Sequence, residues 1–143
     1  MESCLVFLRT CKHRTCLGGL GEISKMKITI HGGKKQHKEV ARKTIEWCVE
    51  FFNLTEKIRI SVNLVEDKKV IDCWGECGEG SNKHQYNMKI VYDQTLRDFI
   101  ATITHEMVHI RQWETGDWEG DGEKEAEMFQ YILADQIWRK VKL

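Results

Sequence analysis

Residues 94–114 read QTLRDFIATITHEMVHIRQWE, and their period decides how the chain is built. At about 100° per residue, Leu96, Phe99, Ile100, Ile103, Met107 and Ile110 fall on one stripe. The stripe predicts an amphipathic helix lying on a sheet, with Asp93 as its N-cap. His105 and His109 point away from it, on a side shared with Thr102 and Gln112 and flanked by Ala101 and Val108. That side is too polar for core and too apolar for a plain wet face, so the reading is the floor of a cleft.

Upstream, Ala41, Ile45, Cys48, Val49 and Phe52 recur at spacings of three and four between Lys34 and Asn53, the mark of a helix packed on one face. Ile58, Ile60, Val62 and Leu64 alternate at period two, as do Tyr86, Met88, Ile90 and Tyr92, so each set predicts a strand with one buried side. The intervening DCWGECGEGSNKH is rich in glycine and polar residues and predicts a short strand with turns or an exposed loop. Downstream, EKEAEMFQYILADQIWRKVKL carries a core stripe of Ala126, Phe129, Leu133 and Ile137, with Asp121 as the expected N-cap. With MKITI at 26–30 as the first strand, the order is strand, helix, strand, loop or edge strand, strand, helix, helix. This predicts an α+β fold with a small, mostly antiparallel or mixed sheet packed on helices.

The chain of 143 residues suffices for one core, so a single domain over 26–143 is expected. Residues 1–25 have neither regular period and are expected to be a poorly ordered extension. Twenty-two basic and 22 acidic side chains cancel, leaving no overall field toward nucleic acid or an anionic membrane. No run approaches the roughly 18 apolar residues of a membrane helix, and CLVFL is too short for a secretory core. The six cysteines are then expected as free thiols in a reducing, cytoplasmic setting, the host cytoplasm if the protein is viral.

Two helical histidines four apart stand one turn above another, so an imidazole nitrogen of each can reach a single Zn2+, one per chain, at about 2.0–2.1 Å. Glu106 then falls beside the ion, where it can take a proton from an activated water and deliver it to a leaving amine. A catalytic zinc site needs a third protein ligand. A histidine six residues beyond His109 would supply one, but Thr115 stands there and no histidine follows. A carboxylate must serve. Extending the last helix's core stripe toward its N-terminus lands on Glu123, with Glu125 on the flank; Glu127 or an aspartate in the preceding turn are the other options. Glu127, one turn after Glu123, could instead accept a hydrogen bond from a liganding histidine and fix its tautomer.

THEMVH followed by EKEAE resembles the gluzincin-type zinc metallopeptidases, in which HExxH is completed by a glutamate from an ExxA(D/E/N) helix. From Ile58 onward the chain is similar to small SprT-like or minigluzincin-like metallopeptidases of bacteriophages, TITHEMVHIRQWETG being the most specific part. The resemblance implies a zincin-like fold, His105, His109 and Glu123 as ligands, Glu106 as general base, and Glu127 as an outer partner where relatives carry Asp or Asn. The PWE often preceding this helix in similar proteins is DGE here. The resemblance also implies that CWGEC or YNMKIVY is an edge strand above the zinc, on which an extended peptide or protein substrate docks by strand addition.

His84 and Tyr86 are candidates to stabilise an oxyanion or bind substrate. Cys73, Cys77 and His84 supply only three loosely spaced ligands, so a loop with a buried thiol is the expectation there. Tyr131 lies about 12 Å along the helix from Glu123 and is expected outside the site. Trp113 and Trp118 are expected to pack the connection or line a wall of the cleft. HGGKKQHK lacks the phosphate-loop pattern and reads as a solvated helix start. The competing functional readings are a non-catalytic zinc-containing binding module and, by fold analogy, a DNA-associated SprT-like protease. Neutral charge and no aromatic–basic patch argue against nucleic acid.

Overall fold

The computed structural model describes residues 26–141 apart from residue 71, so the expectation for residues 1–25 lies outside the described residues. Eight elements follow in order: β1 (Lys27–His31), α1 (Lys35–Phe51), β2 (Arg59–Val65), a 3-10 turn (Lys68–Val70), β3 (Gly75–Glu79), β4 (Gln85–Val91), α2 (Leu96–Thr115) and α3 (Glu123–Val141). The fold is α+β.

The four strands lie in the order β1-β2-β4-β3. β1, β2 and β4 are parallel neighbours, and β3 is antiparallel to β4. The sheet is therefore mixed. Parallel pairing needs long connections; α1 carries the chain from β1 to β2, and the excursion through β3 carries it from β2 to β4. β3 is left at the edge, and the glycine-rich GECGE is the strand among the two alternatives that occupies it.

Of the period-two residues, Ile58, Ile60, Val62, Leu64, Tyr86, Met88 and Ile90 are buried under the helices, as is Ile28 of β1, whereas Tyr92, just past β4, is half-buried. The opposite face carries exposed Lys27, Thr29, His31, Arg59, Asn63, Asn87 and Lys89. Ala41, Ile45, Cys48 and Val49 of α1 and Phe52 at its C-cap join the core, as do Ala126, Phe129, Leu133 and Ile137 of α3. Each such aliphatic or aromatic side chain contributes about 1.5–3 kcal/mol on full burial, which is why these stripes were decisive.

α2 differs from its expected two-sided form. Besides its core stripe, Ala101, Thr104, Glu106, Val108, His109, Arg111 and Gln112 are buried. α2 is the central helix, packed against α1, α3, β3 and β4, and α3 covers much of the flank that a single amphipathic helix would leave wet. Its N-cap is Thr95, whose Oγ1 accepts from Asp98 N at 3.2 Å, not Asp93. The chain is still turning off β4 at Asp93, with Gln94 N donating to Tyr92 O at 2.9 Å. Asp121 sits two residues before the first residue of α3 and still accepts from Glu123 N at 3.0 Å. No helix among the described residues is long and apolar enough to cross a membrane.

Candidate functional site

His105, Glu106 and His109 occupy the middle of α2, and Glu123 opens α3. α2 stops at Gly116, in the left-handed region at φ +71°, whose N–H donates to Gln112 O at 2.7 Å. The chain reverses and enters α3 through Gly122 at φ +81°. This reversal lays the first turn of α3 against the last two turns of α2. Glu123 Oε1 is 3.1 Å from His105 Nε2, and its Oε2 is 2.7 Å from His109 Nε2.

The three residues' donor atoms lie within 4.8 Å of one another. Two imidazole nitrogens and one carboxylate, all aimed at one point, are a donor set that fits a divalent ion with a position left open. Glu125 is not part of it: its Oε1 accepts from Gln112 Nε2 at 2.9 Å and lies 3.4 Å from Arg111 NH1. Cys73, Cys77 and His84 form no such group among the described residues.

The other nitrogen of each imidazole meets a glutamine. Gln130 Oε1 is 2.6 Å from His105 Nδ1, and Gln112 Oε1 is 3.0 Å from His109 Nδ1. Glu127 is exposed and bonds to neither. Gln130 follows Glu123 by seven residues, two helical turns, and so shares its face, whereas Glu127 at four residues is rotated off toward solvent. That spacing was visible in the sequence, but the crossing of α2 and α3 that selects Gln130 over Glu127 was not.

Glu106 is 6 % exposed. Burial raises its carboxyl above the ordinary range; the Cys77 thiol and then His105 and His109 draw it back down in part, and Glu123 pushes it up. Cys77 also donates to Glu106 O at 3.6 Å, so β3 rests directly on this turn of α2. Gly75 makes the contact possible, since a Cβ there would lie 2.6 Å from Thr102 Cγ2 and 3.4 Å from Glu106 Oε2.

Val91 N donates to Trp74 O, and Gly80 N to Gln85 O. In an antiparallel ladder this parity turns Trp74, Glu76, Gly78 and Gly80 toward β4, and the N–H and C=O groups of Gly75, Cys77 and Glu79 toward the open edge. Two recesses of about 350 Å³ each meet at Gly75, His105 and Glu106. One runs toward Trp74, Asp98 and Tyr131; the other runs toward Trp113, Trp118 and Glu123.

Trp113 and Trp118 thus line a wall as expected, and Tyr131, expected outside, lines the opposite recess. Distance along α3 from Glu123 does not measure distance from a cleft that runs alongside the helix. Tyr131 OH donates to Asp98 Oδ1 at 2.8 Å. His84 and Tyr86 are elsewhere: they line a separate depression with Glu79, Trp113 and Glu114. His84 Nδ1 is 2.9 Å from both oxygens of Glu114, and Tyr86 OH donates to the same carboxylate at 2.5 Å. Burial and this bond raise the Tyr86 hydroxyl well above its usual range. Glu114 thus holds both side chains, in a depression that shares only Trp113 with the recesses beside His105 and Glu106. The chain matches no family model, no curated protein and no solved structure.

Proposed function

We propose that the protein is a zinc-dependent metallopeptidase of the gluzincin type, with a zincin-like fold similar to the small SprT-like and minigluzincin-like enzymes. The observation that carries the reading is the meeting of His105 Nε2, His109 Nε2 and the Glu123 carboxylate within 4.8 Å, on the turn of α2 that holds the buried Glu106. His105, His109 and Glu123 would hold the zinc, which would supply Lewis acidity and would lower the pKa of a water toward about 7.

Glu106 takes a proton from the attacking water and returns it to the departing amine. Its burial supports that role, because a carboxyl shifted upward accepts a proton more readily at neutral pH. The outward backbone groups of Gly75, Cys77 and Glu79 suit an extended peptide added as a further strand. Recesses on both sides of Glu106 accommodate residues flanking the scissile bond. Peptide or protein is therefore the substrate class. Cys48, Cys73 and Cys77 are free thiols among the described residues, which supports work in the cytoplasm.

Glu106→Gln tests the assignment. It should keep one zinc per chain and lower peptide turnover by about 10²–10⁴-fold, the usual worth of a general base. Zinc content by metal analysis and cleavage of an unstructured protein substrate are the measurements. Equal activity in parent and variant would favour a zinc-containing binding module that does not cut.

A further inference from the structure

Gln112 is buried to 2 % exposure, one turn beyond His109. Its Nε2 donates to Gly122 O at 3.0 Å and to Glu125 Oε1 at 2.9 Å, while its Oε1 faces His109 Nδ1 at 3.0 Å. A primary amide has two N–H donors on nitrogen and lone pairs only on oxygen. Both donors are committed to groups that cannot donate: a backbone carbonyl and a carboxylate. Turning the amide over would press its oxygen against both of them, so only one orientation is open to it.

The consequence passes to the histidine. An acceptor at Nδ1 requires the proton there, and a neutral imidazole has only one. Nε2 is left as a bare lone pair, directed at the point it shares with His105 and Glu123. Arg111, 3 % exposed, sets a positive charge 3.4 Å from Glu125 Oε1 and supports the carboxylate at the start of the chain of bonds. Gly122 completes the fit, because a Cβ on it would lie against Gln112 Oε1 at 2.3 Å.

His105 has no such control. Its Nδ1 meets Gln130 Oε1, but no acceptor among the described residues holds Gln130 Nε2, so that amide is free to turn.

We propose that Glu125, acting through Gln112, selects the tautomer of His109 that leaves Nε2 open to the metal. Gln112 and Glu125 are thus positioning residues that touch no reacting atom. The proposal rests on the zinc reading above for its purpose, though the tautomer itself can be read without metal.

The experiment uses the full chain with ¹⁵N-labelled histidine, metal-free, in a Glu123→Ala background so that the carboxylate does not itself draw a proton to Nε2. At about pH 8.5, two units above the ordinary imidazole pKa, long-range ¹H–¹⁵N spectra distinguish the two tautomers. His109 is expected as the Nδ1–H form. Gln112→Leu should mix the forms at His109 and leave His105 unchanged, and in the otherwise unaltered chain it should weaken zinc roughly 10- to 100-fold in chelator competition.

If Gln112→Leu fails to fold, Glu125→Gln reads the same chain of bonds: it replaces one of the two acceptor-only groups by an amide that can also donate, leaves Gly122 O alone to orient Gln112, and should let some Nε2–H form appear at His109. An Nε2–H form of His109 in the Glu123→Ala background, or the Nδ1–H form persisting in Gln112→Leu, overturns the proposal. A parent chain that fails to bind zinc in the competition assay, beside a Glu123→Ala background showing the expected tautomer, overturns the zinc reading and leaves the tautomer selection standing.

Discussion

His105 and His109 stand one turn apart on α2, with ring centroids 5.1 Å apart, and both reach Glu123. Their surroundings differ. His109 is enclosed, with the Trp113 ring stacked at 6.2 Å and Gln112 fixed from three directions. His105 lies where the two recesses meet and has one glutamine on its far nitrogen. One helix thus presents two imidazoles whose far nitrogens meet glutamines held to different degrees. His109 borders one of the recesses beside Glu106, whereas His105 borders both.

The largest effects that probe this inequality are the paired deletions. His105→Ala and His109→Ala should each abolish stoichiometric zinc. In the metal-free state they should part company: His109→Ala leaves the buried Gln112 Oε1 without its donor and should cost about 1–3 kcal/mol, while His105→Ala opens toward solvent and should cost less than about 1 kcal/mol. Denaturant midpoints of the two apo variants decide it, and equal losses would erase the distinction.

Gly122→Ala comes next. It places a side chain at φ +81° and drives a methyl against Gln112. The left-handed conformation alone costs about 1–2 kcal/mol, and zinc should weaken because Gln112 is displaced from His109. Thermal unfolding with and without zinc measures both effects. Gln130→Leu tests the looser side and should weaken zinc by less than about tenfold, that is, by under about 1.4 kcal/mol. A loss matching that of Gln112→Leu would make the two sides equivalent. Smallest is Glu127→Ala, expected within about 0.5 kcal/mol in stability and without effect on zinc. A clear loss of zinc there would restore the outer-partner role that the EKEAE resemblance implied.

What could be read from the sequence was whatever obeys a period. The strands around Ile60 and Met88 and the stripes of α1 and α3 are local patterns, and burial followed them. His105, Glu106 and His109 are joined by one helical turn, and Glu123 came from extending a stripe by one step. What escaped depends on how elements cross. Gln112 was seen on the cleft side of α2, but its partners Gly122 and Glu125 come from a reversal whose path hangs on three left-handed glycines, Gly116, Gly120 and Gly122. Tyr131 enters the cleft because α3 runs alongside it, which residue spacing cannot express. His84 and Tyr86 were expected just before or within an edge strand, but the edge is β3, they stand at the start of the interior β4, and Glu114, at the C-terminal end of α2, claims both.

The pairing of α2 with α3 has one more consequence. Near the turn the two helices are tied through Gln112, Arg111 and Glu125; at the far end Arg97 Nε reaches Asp135 Oδ1 at 2.9 Å and Tyr131 reaches Asp98. The hairpin is braced at both ends, whereas β3, facing it across the slot, has backbone partners on one side only. The slot therefore has one wall tied by side-chain bonds at both ends and one wall whose strand is paired on a single side and rests on α2 through Gly75 and Cys77. If a peptide adds to the open edge of β3 as proposed, that strand would gain backbone partners on its second side as well.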